Sequence, residues 1–372
     1  MALAAVEHAF ERNFAEHHDL GASVCVYWRG EEVLHLAHGF ADREKSRAWG
    51  ENTLVPVYSA TKAPSAATLL VALERRGLNE TTPVREVWSH FPVAEATFAH
   101  LLSHQCGLAA LDQPSSIWEH GNVVKAIEAQ IPAWRPGTGL GYHPRTFGAL
   151  LDECVRRLTS ESLGNYWQRE IAQPMGWEFW IGLPEREWSR VATLVPGRAE
   201  KGDVDQGFYK EFMTAGTMTR RAFLSPSGLH AVQEMNDSRA WSAGFPAMGG
   251  VGNARSLAQF YQAAIGAIES PLSSAIQQAL QRKQTQGFDA VLLQEMAFTC
   301  GCQQDPLTAE GEKMRHLYGP NQDAFGHPGA GGSHAFGDPA TGLSFAYVMN
   351  QMALSVMPGP RSTAMVDALY GL

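Results

Sequence analysis

Strand-forming sequence is concentrated at the two ends of this chain, and the long stretch between them reads as helix and loop. Residues 23–28 (SVCVYW) are rich in strand formers, Arg29 and Gly30 turn the chain, and EEVLHLAHGFAD then alternates at period two, which predicts a β-hairpin. Near the other end, apolar runs at 333–336 and 343–350 flank the turn sequence GDPATG, and PRSTAMVDALYGL closes the chain as a helix. Strands need neighbours, so the two ends are expected to pair with each other. The fold class this implies is α+β: an antiparallel sheet built from both chain ends, flanked by helices, with a mostly helical subdomain inserted. All of residues 1–372 form one unit on this reading. Residues of about 1–80 and 286–372 make the α/β subdomain, and about 81–285 the helical one. With 45% hydrophobic and 18% charged residues the chain can fill a large core, which argues against disorder.

The formal net charge is -9 and no run of Lys or Arg forms a stripe, so nucleic acid and anionic membrane are excluded as expected partners. A small neutral or cationic molecule fits better, and oligomeric state is not legible. Glu7, Glu11 and Glu16 interrupt the apolar positions of the first residues, which read as an amphipathic helix rather than a secretion signal. No stretch of about 18 apolar residues occurs, so the expectation is a soluble, cytoplasmic protein. The five cysteines lack the spacing of a zinc or redox motif and read as reduced, buried thiols. Cys300 and Cys302 are expected to alternate on a strand and face opposite sides. His17 and His18 are adjacent and His100 and His104 four apart, but no carboxylate completes a ligand set, so no metal and no cofactor are expected.

Three segments carry chemistry. Ser59 and Lys62 form a Ser-x-x-Lys pattern where strand-like sequence gives way to ATKAPSAATLLVALERRG, a helical pattern with its stop signal at Gly77. Residues three apart on a helix share a face, so the amine of Lys62 can reach the hydroxyl of Ser59 and, with its pKa lowered, take its proton. The same pattern also fits a helix N-cap followed by a solvated lysine. Tyr142, in GYHP after the turn RPGTG, could be a second proton carrier, since a phenol near a lysine cation ionises more easily; a packed loop tyrosine fits as well. The glycines of GHPGAGGS, residues 326–333, let a backbone pass close to a ligand and aim amides into a site, or simply make a tight turn.

Taken together and in this order, the segments resemble the β-lactamase-like serine hydrolase superfamily: class C β-lactamases, DD-peptidases and family VIII carboxylesterases. VYSATKAP is similar to the nucleophile segment, FAHLLSHQCGL to the segment ending in Ser-Gly-Leu, GYHPRTFGALLDECVRR to the Tyr-x-Asn region, and GHPGAGGSHAF to the Lys-Thr-Gly strand. AMGGVGNARSLAQFY is similar to the glycine-rich loop and helix bordering the site. The resemblance implies that Ser59 is the acylated nucleophile, Lys62 its base partner and Tyr142 the proton relay. It places the oxyanion between the backbone amides of Ser59 and Ala330, with His327 and Gly329 binding substrate. Two departures stand out: Pro144 occupies the Asn position and His327 the Lys position, which favours a neutral acyl ester over a carboxylate-bearing β-lactam. The expected activity is therefore a carboxylesterase acting on a small acyl ester or amide. An acyltransferase, a β-lactamase or D-amino-acid peptidase, and a catalytically retired assembly or binding protein are the alternatives. Trp134, Trp177, Trp180 and Trp241 are candidates either for an acyl pocket or for core packing.

Overall fold

A computed structural model describes residues 2–198 and 206–372. Helix α1 (Leu3–Glu16) leads into the hairpin β1 (Gly21–Trp28) and β2 (Glu31–Gly39). Arg29 and Gly30 both have positive φ (51° and 87°), as a two-residue turn between twisted strands requires. After β3 (Val55–Pro56), a 3-10 turn at Ser59–Thr61 runs directly into α2 (Lys62–Glu74). Every residue of α2 up to Leu73 is buried, because this helix is enclosed on all sides.

The middle of the chain holds α3 (Phe98–Leu102), α4 (His120–Glu128), α5 (Thr146–Thr159), α6 (Leu163–Trp167) and α7 (Gln173–Met175). Strands β4 (Phe179–Trp180) and β5 (Val195–Arg198) follow, then α8 (Gln206–Met213), α9 (Met218–Leu224) and α10 (Ser238–Ala243). Strand β6 (Val251–Gly252) lies between β3 and β4 in a small three-stranded sheet. Helices α11 (Ala254–Ala264) and α12 (Ser274–Gln281) precede β7 (Thr285–Phe288), β8 (Glu295–Phe298), β9 (Gln303–Gln304) and β10 (Phe325–Pro328). The chain ends with β11 (His334–Asp338), β12 (Leu343–Met349), β13 (Gln351–Ala353) and α13 (Pro360–Tyr370).

The main sheet has the order β2-β1-β12-β11-β10-β9-β8-β7 and is antiparallel throughout. Its seam is the pairing of the two chain ends, with Val24 opposite Tyr347 and Val26 opposite Phe345. One face is covered by α1 and α13, where Val6, Phe10, Met365 and Val366 pack on Val24 and Phe345. The other lies under α11 and α2, where Cys25, Ala346 and Val348 share a core with Leu257 and Leu69. Burial on both faces is why SVCVYW and SFAYVMN read as continuous apolar runs; each fully buried Val or Phe contributes about 1.5–3 kcal/mol.

Cys300 and Cys302 depart from expectation. They sit in the turn between β8 and β9 rather than on a strand, and both join the same core. Gly301 between them has φ +93°, and a Cβ there would lie 2.0 Å from the Ala66 Cβ of α2, so the chain can turn against that helix only at a glycine. Among the described residues no helix is long and apolar enough to cross a membrane.

Candidate active site

The residue preceding Ser59 is held in an uncommon conformation. Tyr58 has φ 48° and ψ −131°, which costs about 1–3 kcal/mol for a residue with a side chain and persists only when its surroundings impose it. Here the Val57 amide donates to the Gly250 carbonyl (3.0 Å), the Thr61 hydroxyl to the Tyr58 carbonyl (2.5 Å), and the Gly250 amide to the Thr61 hydroxyl (2.9 Å). This bracing places Ser59 at the start of the helical segment that carries Lys62.

Lys62 is fully buried; its amine stands 3.2 Å from Ser59 Oγ and donates to the Pro144 carbonyl (3.0 Å) and the Ala247 carbonyl (2.8 Å). Among the described residues no carboxylate pairs with it. Burial, and next the positive charge of Arg145, push its pKa well below the usual lysine range. Arg145 is itself buried and is held by carbonyls, including those of Pro226 (2.8 Å) and Gly228. Pro144, which brings no side-chain amide, contributes its backbone oxygen to Lys62 instead.

Tyr142 lies beside this pair, its ring centroid 4.8 Å from the Lys62 amine and its phenol hydrogen-bonded to Ser59. The expected easier ionisation is reversed. Burial raises the phenol above its ordinary range, the Ser59 bond only partly offsets this, and Lys62 is itself pushed toward the neutral amine. Tyr142 therefore stays protonated. Its backbone is fixed by Asp289, whose carboxylate accepts from the amides of Tyr142, Val291 and Leu292, each at 2.8 Å. Burial pushes Asp289 up to about 6, against the pull of those three bonds. His143 secures the same loop: its Nδ1 donates to the Gly141 carbonyl (2.7 Å) and its Nε2 accepts from the Leu108 amide (3.1 Å).

Strand β10 completes the site. His327 donates from Nδ1 to the Pro328 carbonyl (2.8 Å), and burial, followed by Lys62, lowers its pKa to about 3, so it is neutral at any ordinary pH. A Cβ on Gly329 would stand 2.0 Å from the Val57 carbonyl; glycine lets this backbone close on the turn that carries Ser59, while its own amide goes to the Ser333 carbonyl (2.7 Å). Ser59 and Ala330 then line one cleft, and among the described residues neither amide is taken up by a hydrogen bond. The cleft has an apolar wall of Phe223, Leu292, Val356 and Met357. None of Trp134, Trp177, Trp180 and Trp241 lines it. Trp177 and Trp180 are core residues and the Trp134 indole donates to the Gln105 carbonyl (3.2 Å). His100 turns back to cap its own helix at Thr97, and His104 is buried against Tyr142 and Phe298.

The structure thus gathers Ser59, Tyr142, His327 and Ala330 at one cleft, with Lys62 buried beside Ser59. Sequence reasoning missed Asp289, Arg145, the Ala247 carbonyl and Gln303, which also lines the cleft. Asp289 had a local signal, since an Asp followed by amides at two and three residues makes a side-chain turn, but nothing linked it to Tyr142.

A family model described as Beta-lactamase matches residues 6–369. The chain is 29% identical over 363 residues to an esterase/beta-lactamase, LipL, of Mycobacterium tuberculosis, covering 94% of this chain and 81% of that one. A penicillin-binding protein homolog from Caulobacter crescentus superposes with TM-score 0.84 at 32% identity, covering 99% of this chain and 96% of its own. A family VIII carboxylesterase gives TM-score 0.84 and 32% identity, with 98% and 96% covered.

Proposed function

The chain belongs to the beta-lactamase family of serine hydrolases, and from that premise we propose that it is a carboxylesterase cleaving small acyl esters through an acyl-enzyme on Ser59. The observation that carries this reading is the Ser59 hydroxyl, in a cleft walled by Phe223, Leu292, Val356 and Met357, 3.2 Å from a buried lysine amine that has no carboxylate partner among the described residues.

In the proposed cycle the neutral Lys62 amine takes the Ser59 proton as Oγ bonds to the acyl carbon. The carbonyl oxygen gathers negative charge between the Ser59 and Ala330 amides. As the bond to the alcohol oxygen breaks, Tyr142 gives that oxygen its proton and is reprotonated by Lys62. Water then attacks the acyl-enzyme; its proton enters Tyr142 while the phenol proton passes to Lys62, and Lys62 returns it to Ser59 as the acid leaves. The raised pKa of Tyr142 suits a relay that is protonated at the start of each half-cycle.

Esters are favoured over β-lactams because His327 carries no charge to attract a carboxylate and Pro144 offers no amide side chain. The relative from Mycobacterium tuberculosis bears both activities in its name, so the comparison to make is kcat/KM for p-nitrophenyl butyrate against nitrocefin at pH 8. The butyrate ester is expected to be turned over far more efficiently; equal efficiency on nitrocefin rejects the esterase assignment.

A further inference from the structure

We propose that Gln303 is a substrate-binding residue, whose amide donates to an acceptor oxygen a few bonds from the scissile carbonyl; this rests on the ester hydrolase reading above. Gln303 is 2% exposed, lies on β9 opposite Gly326 of β10, and lines the cleft with Ser59 and His327.

The orientation of its amide follows from its neighbour. The Tyr318 hydroxyl, also buried, sits 3.2 Å from Gln303 Oε1. Among the described residues that hydroxyl has no other acceptor, so it must donate, and only the oxygen end of the carboxamide can receive it. Tyr318 is itself fixed: the amides of Leu317 and Tyr318 donate to the Asp305 carboxylate (3.2 and 3.1 Å), which is paired with Lys313 (2.9 Å). The nitrogen end, Nε2, makes no hydrogen bond among the described residues, on a side chain that lines the cleft. A side chain this buried with two unused N–H groups is poised for a ligand oxygen. It supplies the side-chain amide that Pro144 does not bring.

The substrates this selects are small, mostly apolar esters with one further oxygen near the ester group, on either the acyl or the alcohol side. Two isosteric pairs locate it: p-nitrophenyl methoxyacetate against p-nitrophenyl butyrate for the acyl side, and 2-methoxyethyl butyrate against n-butyl butyrate for the alcohol side. The readout is the ratio of kcat/KM within each pair, which cancels intrinsic reactivity when wild type and variant are compared and does not depend on the fraction of enzyme folded. Gln303→Met should lower the ratio about tenfold in one pair, the scale of one hydrogen bond. Tyr318→Phe, which leaves the amide in place but unoriented, should lower the same ratio by about threefold.

Ratios unchanged in both pairs, or equal losses on both members of each pair, overturn the assignment of Gln303 while the hydrolase reading stands. A wild type that turns over none of the four esters and takes up no fluorophosphonate at Ser59 overturns that reading and this inference with it.

Discussion

Asp289→Asn separates the two jobs the Asp289 carboxylate does. The substitution keeps Oδ1 for the amides of Val291 and Leu292 but sets an NH2 group against the Tyr142 amide, where Oδ2 now accepts at 2.8 Å. Losing that bond costs about 1–3 kcal/mol. The charge works in the opposite direction. Burial raises the carboxyl from its ordinary 3.8 to about 6, so the folded state holds the proton more tightly than the unfolded chain. Stability is therefore lost as pH rises through the window from about 4 to 6. The gap of about 2.2, at about 1.36 kcal/mol each, is worth about 3 kcal/mol. The asparagine variant has no such loss. It should be less stable than wild type by about 2 kcal/mol at pH 4, yet level with it or slightly more stable at pH 8. Urea unfolding of both proteins from pH 4 to 8 measures this directly. A stability difference that stays constant within about 1 kcal/mol across that range refutes the reasoning. Because Tyr142 loses its anchor, kcat on p-nitrophenyl butyrate should also fall about tenfold at pH 8.

Lys62→Met and Tyr142→Phe should each slow ester turnover about a hundredfold or more, and the double variant should lose far less than the product; independent, multiplicative losses count against a shared proton relay. Gly329→Ala puts a methyl group against the Val57 carbonyl and displaces the Ala330 amide, so kcat should drop at least tenfold, and wild-type kcat in this variant contradicts the oxyanion assignment. Hydrolysis should survive exhaustive chelation, and activity recovered only on adding zinc contradicts the metal-free mechanism.

Much of the fold was legible because its signals are local. The Arg29-Gly30 turn, the buried runs of β1 and β12 and the helix after Ser59 each follow from neighbouring residues. Pairing of the two chain ends followed from a shortage of other strands. The β8–β9 turn was misread because Cys300 and Cys302 look like alternating strand positions unless one knows that α2 approaches Gly301. At the site, Ser59 and Lys62 were readable because three residues of helix bring them together. Asp289 and Gln303 were not, since their partners are Tyr142 and Tyr318, 147 and 15 residues away, and only the folded sheet unites them. The electrostatics were hidden for the same reason: the sequence suggests a lysine cation beside Tyr142, whereas enclosure by the core favours a neutral amine and a neutral phenol.

The central claim is that Ser59 is the nucleophile, and a fluorophosphonate tests it most directly. Intact wild-type protein should take up one equivalent, and peptide mass mapping should place the adduct on Ser59. Ser59→Ala should take up none and hydrolyse no ester while keeping the wild-type unfolding transition. Labelling that persists in Ser59→Ala, or an adduct mapped to any other residue, contradicts the account.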